Sequence, residues 1–230
     1  MDPLRVVEWL RGVRLRVLDV ETTGTWFFAD RVVQVGMSTW LDGEHIATVA
    51  SLVNPGGAIP PEATAINGVT DEAVKDAPCF GDAFAPLLAD IQPADVLVAY
   101  NHDFDSKFLG VECARHGLQA PRILSARWLD PYIMAKAANG AGRYDRGFKL
   151  EQLCAALGIK LEGAHDAGVD AHATGEALYR LTADTGAFAE FRHVNEVMRA
   201  QVKWMNAQID CHDGGLRRVG QFQTLRRKAI

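Results

Sequence analysis

Cysteine is scarce in this sequence and never paired. Cys79, Cys113, Cys154 and Cys211 stand dozens of positions apart, with no CxxC among them. That spacing argues against a zinc ribbon or a disulfide framework and for reduced thiols in a cytosol. Long apolar runs are missing too, since no stretch approaches the ~18 consecutive apolar residues of a membrane span. The opening Met1-Asp2-Pro3-Leu4 brings an acid early and no apolar h-region, so no signal peptide is expected. Neither an internal repeat nor a low-complexity tract is present. The expectation is a cytoplasmic protein that meets no membrane.

What is there suits one full domain with a short appendage. A chain of 230 residues, 48% of them apolar and 23% charged, buries roughly 70% of its extended surface and needs no disulfide or structural metal to fold. The net charge of −5 is unevenly spread. Residues 191–230 hold eight Lys or Arg against three acids, leaving 16 basic and 26 acidic groups in the rest. A basic tail behind an acidic body supplies phosphate contacts that a cation-binding body cannot. It equally fits a solvated terminal helix with a frayed end.

Strands come first. Arg14–Val20, Val32–Trp40 and His45–Leu52 read as β, with Leu41-Asp42-Gly43-Glu44 as a hairpin turn, which predicts an antiparallel meander. Asn54–Pro61 is a Pro/Gly-punctuated loop. Phe80–Asp90 reads as a short helix, 95–100 as a buried strand and Phe104–His116 as a helix that Gly117 closes. Helices are expected at Leu129–Ala138 (its first turn set at Pro131), Lys149–Leu157, Val169–Thr182 and Ala187–Gln208. Asn139–Gly147 reads as a mobile loop, and Asp213-Gly214-Gly215 as a break. The pattern predicts an α/β fold, a mixed sheet with helices on its faces. Its one candidate boundary lies near residues 185–187 or at the Gly pair.

Three acidic motifs sit where strands end or helices begin. Asp19 and Glu21 are two apart, so an extended strand projects both carboxylates to one face, where they repel unless a cation holds them. A chain this acidic supplies about one such spacing by chance, and a solvated strand end is the bland alternative. Asp105 follows a second apolar strand, where open α/β sheets gather ligands, although Asp103 or Asp105 also suits a helix N-cap. His165 precedes a helix whose first turn carries Asp170, a position that would also complement the helix dipole. Small residues at Ala171, Ala173, Gly175 and Ala177 would let that helix approach the sheet closely.

Together the set Asp19/Glu21, Asp105 and His165/Asp170 resembles the three motifs of the DEDDh branch of the DnaQ-like 3′→5′ exonucleases. The likeness runs over residues 14–182 through DVETTG, AINGVTDEAV, NHDFDSKFL, GFKLEQLCAALGI and HDAGVDAHAT. It departs at Asp166, where the family often has Arg or Asn, and at Asp130-Pro131, where Asp-Thr is usual. Asp166 is expected to add negative charge beside His165 and raise its pKa.

The resemblance implies a ribonuclease H-like mixed sheet flanked by helices, with an exonuclease domain over 1–185 and a basic helical extension over 186–230. It implies two Mg²⁺ or Mn²⁺ ions held by Asp19, Glu21, Asp105 and Asp170, with His165 as general base. Two ions ~3.5–4 Å apart activate water and stabilise the leaving oxygen, and hard cations suit an all-carboxylate set. Thr22, Thr23, Ile66, Asn101 and Phe104 are the candidate substrate contacts. The implied partners are nucleic acid with a free 3′ end and, through residues 186–230, a polymerase or other protein. DNA is favoured, with an exoribonuclease as the alternative. His102-Asp103 and His165-Asp166 also suit an HD-type phosphohydrolase, but that family is all-helical and the first pair follows a strand. A non-catalytic nucleic-acid-binding module is disfavoured because all five motif residues are present.

Overall fold

The computed structural model describes residues 4–120, 123, 128–139 and 147–212. After a 3₁₀ turn at Glu8–Leu10, strands β1 (Arg14–Thr22), β2 (Val32–Leu41) and β3 (Glu44–Leu52) form the expected meander. Asp42 (φ 50°) and Gly43 (φ 78°) both take left-handed backbone at the β2–β3 turn. That twist matches the strands it joins. Helices α1 (Pro61–Asn67), α2 (Asp71–Val74) and α3 (Phe80–Asp90) lead to β4 (Val96–Val98) and α4 (His102–Arg115). Then come β5 (Trp128–Leu129), α5 (Pro131–Ala138), α6 (Leu150–Ala156), α7 (Ala167–Thr185) and α8 (Val194–His212). The five strands lie in the order β3-β2-β1-β4-β5, with β4 parallel to β1 and β5 parallel to β4. This is the α/β architecture that the sequence predicts, a mixed sheet flanked by helices.

Boundaries differ in instructive ways. β1 runs two residues past Val20, so the DVET carboxylates lie within the strand. α4 begins at His102, because Asn101 (φ 61°) turns the chain at the N-cap position. That overturns the N-cap reading of Asp103 and Asp105. α8 begins at Val194 rather than Ala187, since Gly186 (φ 62°) closes α7 and turns follow it. β5 was not expected, because two residues carry no periodicity. Most of the Asn139–Gly147 loop and the Asp213-Gly214-Gly215 break lie outside the described residues.

Strand alternation distributes β1 between two cores. Leu15 and Val17 face α5, α6, α7 and α8, whereas Leu18 and Val20 face α3 and α4. Asp19 and Glu21 continue the Leu15–Val17 face, so both carboxylates meet α7. On the other face Arg16, 2% exposed, is held by Asp95 at 3.0 Å and by Asp90 at 2.6 Å. The outer edge of β5 is closed by a side chain. Gln201 of α8 accepts from the Asp130 N–H at 2.9 Å and donates to the Trp128 carbonyl at 3.2 Å. Phe188, Val197 and Trp204 bury beside it.

The tightest contact is between α7 and β2. A Cβ on Gly36 would lie 2.2 Å from the Ala167 carbonyl oxygen, and one on Gly175 would lie 2.2 Å from the Trp40 indole nitrogen. Ala171, Ala173 and Ala177 are buried in the same seam, as their small size predicts. Gln34 fastens its N-terminal end, donating to Asp166 at 2.7 Å and accepting from the Ala167 N–H at 3.2 Å. We expect Gly36→Ala to cost about 2 kcal/mol in urea denaturation, as overpacking against backbone does. Wild-type stability in that variant would contradict the close approach. Gln34→Leu should cost about 1–3 kcal/mol by stranding a buried N–H and a carboxylate oxygen; an unchanged midpoint would show that the fastening is dispensable.

Candidate active site

The site forms where β1 outruns its neighbour. β4 pairs with β1 only from Leu15 to Val17, so the edge of β1 beyond Val17 is open to other partners. Val20 uses its N–H there to donate to Asp105 Oδ1 at 3.1 Å, which draws this carboxylate of α4 up to β1. The turn into α4 is fixed by Asp130, 1% exposed, which accepts from the N–H groups of Asn101 and His102, each at 3.0 Å. Asp130 also takes the Tyr132 N–H at 2.9 Å and so caps α5.

From the other side, α7 delivers Asp170 and the residue before its cap delivers His165. Asp166 is the N-cap: Oδ1 accepts from the N–H groups of Gly168 and Val169, both at 3.0 Å. The Asp166 carboxylate is thereby engaged by the helix start and by Gln34, rather than left as a bare charge facing His165. His165 adopts a left-handed backbone (φ 67°), rare for a residue with a side chain. Its N–H donates to Asp170 Oδ2 at 3.1 Å. Ligand atoms of Glu21, His165 and Asp170 all lie within 4.8 Å of one another.

This concentration of acid is electrostatically strained. Burial and then the neighbouring Asp105, Asp170 and Glu21 push the Asp19 carboxyl well above its ordinary range. Glu21 is pushed up to about 8 by burial and Asp170, against the opposing hydrogen bond from Asn67. Burial likewise raises Asp105 and Asp170, although each accepts a backbone N–H that lowers it. Asp170 Oδ1 is buried and has no hydrogen-bond partner among the described residues. A hard cation satisfies every one of these demands, and the donors are the oxygen set that Mg²⁺ or Mn²⁺ prefers. The residues present fit such an ion.

The other predicted contacts surround this cluster. Thr22 donates its hydroxyl to the Gly24 carbonyl at 2.6 Å, and the buried Thr23 hydroxyl accepts from the Arg31 N–H at 2.9 Å. Both threonine side chains therefore shape the turn after β1. That turn is clamped from α4, where buried Glu112 accepts Arg31 Nε at 2.6 Å and Nη2 at 3.1 Å. Ile66 is 64% exposed on α1, which Asn67 ties to β1 through the Thr22 carbonyl at 3.1 Å. Asn101 is exposed, while Phe104 is half-buried with its ring 4.8 Å from that of Phe108. Asn67, Gln34, Gly36 and Glu151, whose Oε1 lies 3.5 Å from His165 Nε2, had no assigned role at the sequence level. Asn67 and Glu151 lie within the family-like stretches AINGVTDEAV and GFKLEQLCAALGI, which was the available signal.

Known proteins resemble this chain in sequence and in fold. The RNase_T family model, described as "Exonuclease", matches residues 17–178. DNA polymerase III subunit epsilon of Treponema pallidum is 32% identical over 183 residues, covering 77% of this chain and 82% of that protein. The PolC-type DNA polymerase III of Streptococcus sanguinis is 35% identical over 170 residues, but the match spans only 11% of its length. Among solved structures, E. coli exonuclease I with a dT13 oligonucleotide superposes with a TM-score of 0.65 at 23% identity. It covers 75% of this chain and 41% of that one. Exonuclease X with 5′-overhanging duplex DNA gives a TM-score of 0.57 at 22% identity, covering 75% and 93%. The sheet is thus a ribonuclease H-like sheet similar to that of exonuclease I, and the chain belongs to the DnaQ/RNase_T exonuclease family.

Proposed function

We propose that this protein is a metal-dependent 3′→5′ exonuclease that removes nucleoside monophosphates from the 3′ end of nucleic acid, with DNA as the favoured polymer. The observation that carries this reading is the meeting of Glu21, His165 and Asp170 within 4.8 Å, beside Asp19 and the Asp105 carboxylate drawn in by Val20. The epsilon-type and PolC-type DNA polymerase III relatives support the DNA preference.

Asp19, Glu21, Asp105 and Asp170 would hold two Mg²⁺ or Mn²⁺ ions. Such ions, when bound, lower the pKa of water and neutralise charge on the phosphoryl oxygens. His165 accepts the proton of the attacking water, a task suited to an imidazole near neutral pH. Glu151, whose Oε1 lies 3.5 Å from His165 Nε2, would help orient the ring. Thr22 and Thr23 shape the turn that meets the 3′-hydroxyl, and Ile66, Asn101 and Phe104 contact the terminal nucleotide. Residues 1–185 carry the chemistry. Residues 186–230, a basic stretch whose described part carries α8, would serve as an extension for a polymerase or other partner.

Two outcomes are expected. Asp19→Ala should abolish Mg²⁺- or Mn²⁺-dependent shortening of a 5′-labelled oligonucleotide while keeping its circular dichroism and melting cooperativity. Retained metal-dependent degradation by that variant would sink the mechanism, and side-by-side digestion of DNA and RNA would choose the polymer. The second outcome concerns pH. Carboxyls whose pKa is raised on folding favour the folded state at low pH and oppose it as pH climbs through their folded values, about 8 for Glu21. Without divalent ions the Tm should therefore drop by several degrees between pH 5 and pH 8.5. Added Mg²⁺ or Mn²⁺ should restore more at pH 8.5 than at pH 5, and Glu21→Gln should blunt both trends. A metal-induced gain of equal size at the two pH values would contradict the strained-carboxylate account.

A further inference from the structure

Beside the carboxylates lies a cleft of about 610 Å³ whose lining joins Asp170 and His165 to Tyr132, Lys136, Phe148 and Lys149. The acids and the histidine belong to the site described above. Lys136 and Lys149, with the two rings, have no part in that chemistry. Lys136 is held in place before any ligand arrives. Its Nζ donates to the Tyr132 hydroxyl at 2.6 Å and stands 4.2 Å from the Tyr132 ring centroid and 5.8 Å from that of Phe148. The Phe148 backbone is fixed in turn, because the Tyr100 hydroxyl donates to its carbonyl at 2.5 Å.

We propose that this cleft is a second phosphate subsite, in which Lys136 and Lys149 bind the phosphodiester next to the scissile one while Tyr132 and Phe148 flank the adjoining nucleoside. The proposal rests on the exonuclease reading and specifies how the polymer lies on the enzyme. Its argument is the charge pattern of the cleft. Carboxylates that would hold cations for one phosphate adjoin ammonium groups suited to another. A ligand that satisfies both must carry negative charges repeated along a chain, as a nucleic-acid strand does and a mononucleotide does not. Aromatic walls suit bases of any identity, because every base has a stacking face. An ammonium already positioned by its neighbours loses little further freedom on binding.

The test is anisotropy of a 5′-labelled single-stranded DNA oligonucleotide on the full chain, with Ca²⁺ supplied in place of Mg²⁺ so that binding is read apart from turnover. Lys136→Met keeps the aliphatic stem over the rings and removes the charge. It should weaken binding about tenfold and flatten the slope of log Kd against log salt by about one unit. A neutral methylphosphonate at the linkage next to the terminal one should weaken wild type by a similar factor and leave K136M nearly indifferent. Lys136→Arg should recover most of the affinity. Equal losses on the natural and methylphosphonate strands in both proteins would overturn the subsite and leave Lys136 as packing only. Should K136M fail to fold, Lys149→Met runs through the same cycle with the same outcomes. Failure of the exonuclease reading would show separately, as intact 3′ ends with Mg²⁺ or Mn²⁺, while the binding cycle still reports on the subsite.

Discussion

Everything at the site depends on how closely α7 lies on β2. The Ala167 carbonyl occupies the space where any side chain on Gly36 would begin, and Gly36 is the direct partner of Asp19 in the β1–β2 ladder. The helix start is thus indexed to the very rung that carries the first carboxylate. One turn further along, Asp170 arrives over that rung. Trp40 against Gly175 repeats the contact farther down the helix, and Gln34 fastens the near end. A one-residue change in strand register would turn Asp19 and Glu21 toward the α3–α4 core and separate them from Asp170.

The second constraint is electrostatic and works against the first. Packing brings Asp19, Glu21, Asp105 and Asp170 into one small, partly desolvated volume, where each raises the others' proton affinity or adds to burial that does. The fold tolerates this by tethering Asp105 and Asp170 through the N–H groups of Val20 and His165. Those tethers fix direction without neutralising charge. On the proposed function a cation would complete the balance, and the stability of the scaffold and the chemistry of the site would then be linked through the same oxygens.

Around this centre, buried carboxylates hold the turns. Glu112, fully buried, takes two nitrogens of Arg31 and one of Arg115. Bidentate pairing of this kind fixes geometry as well as energy. Because Arg31 and Thr23 also exchange backbone and side-chain bonds, the turn after β1 is anchored to α4. Asp130 does the same for the β4–α4 turn, and its own N–H is met by Gln201 from α8. A segment that the sequence assigns to an extension thereby protects the edge of the sheet that carries the motifs.

Much of this was legible in the residues alone. Alternation marked β1 to β3, the DxE spacing put Asp19 and Glu21 on one face, and the run of Ala and Gly in α7 announced a close approach. Motif order, rather than any one motif, pointed to the family. Other features lie beyond a linear reading because they are made by distant partners. Asp166 read as a stray charge beside His165, and only the folded chain shows it capping α7 and bonded to Gln34, 132 positions away. β5 is two residues long and exists because β4 and Gln201 supply its partners. The sequence by itself determined which side chains share a face, since that follows from the two-residue period of a strand. Tertiary structure alone decided that those faces meet, that Gly36 is where they touch, and that Lys136 stands in the same cleft as Asp170. Such contacts depend on the volumes and hydrogen-bonding groups of elements far apart in the chain, which no local pattern encodes.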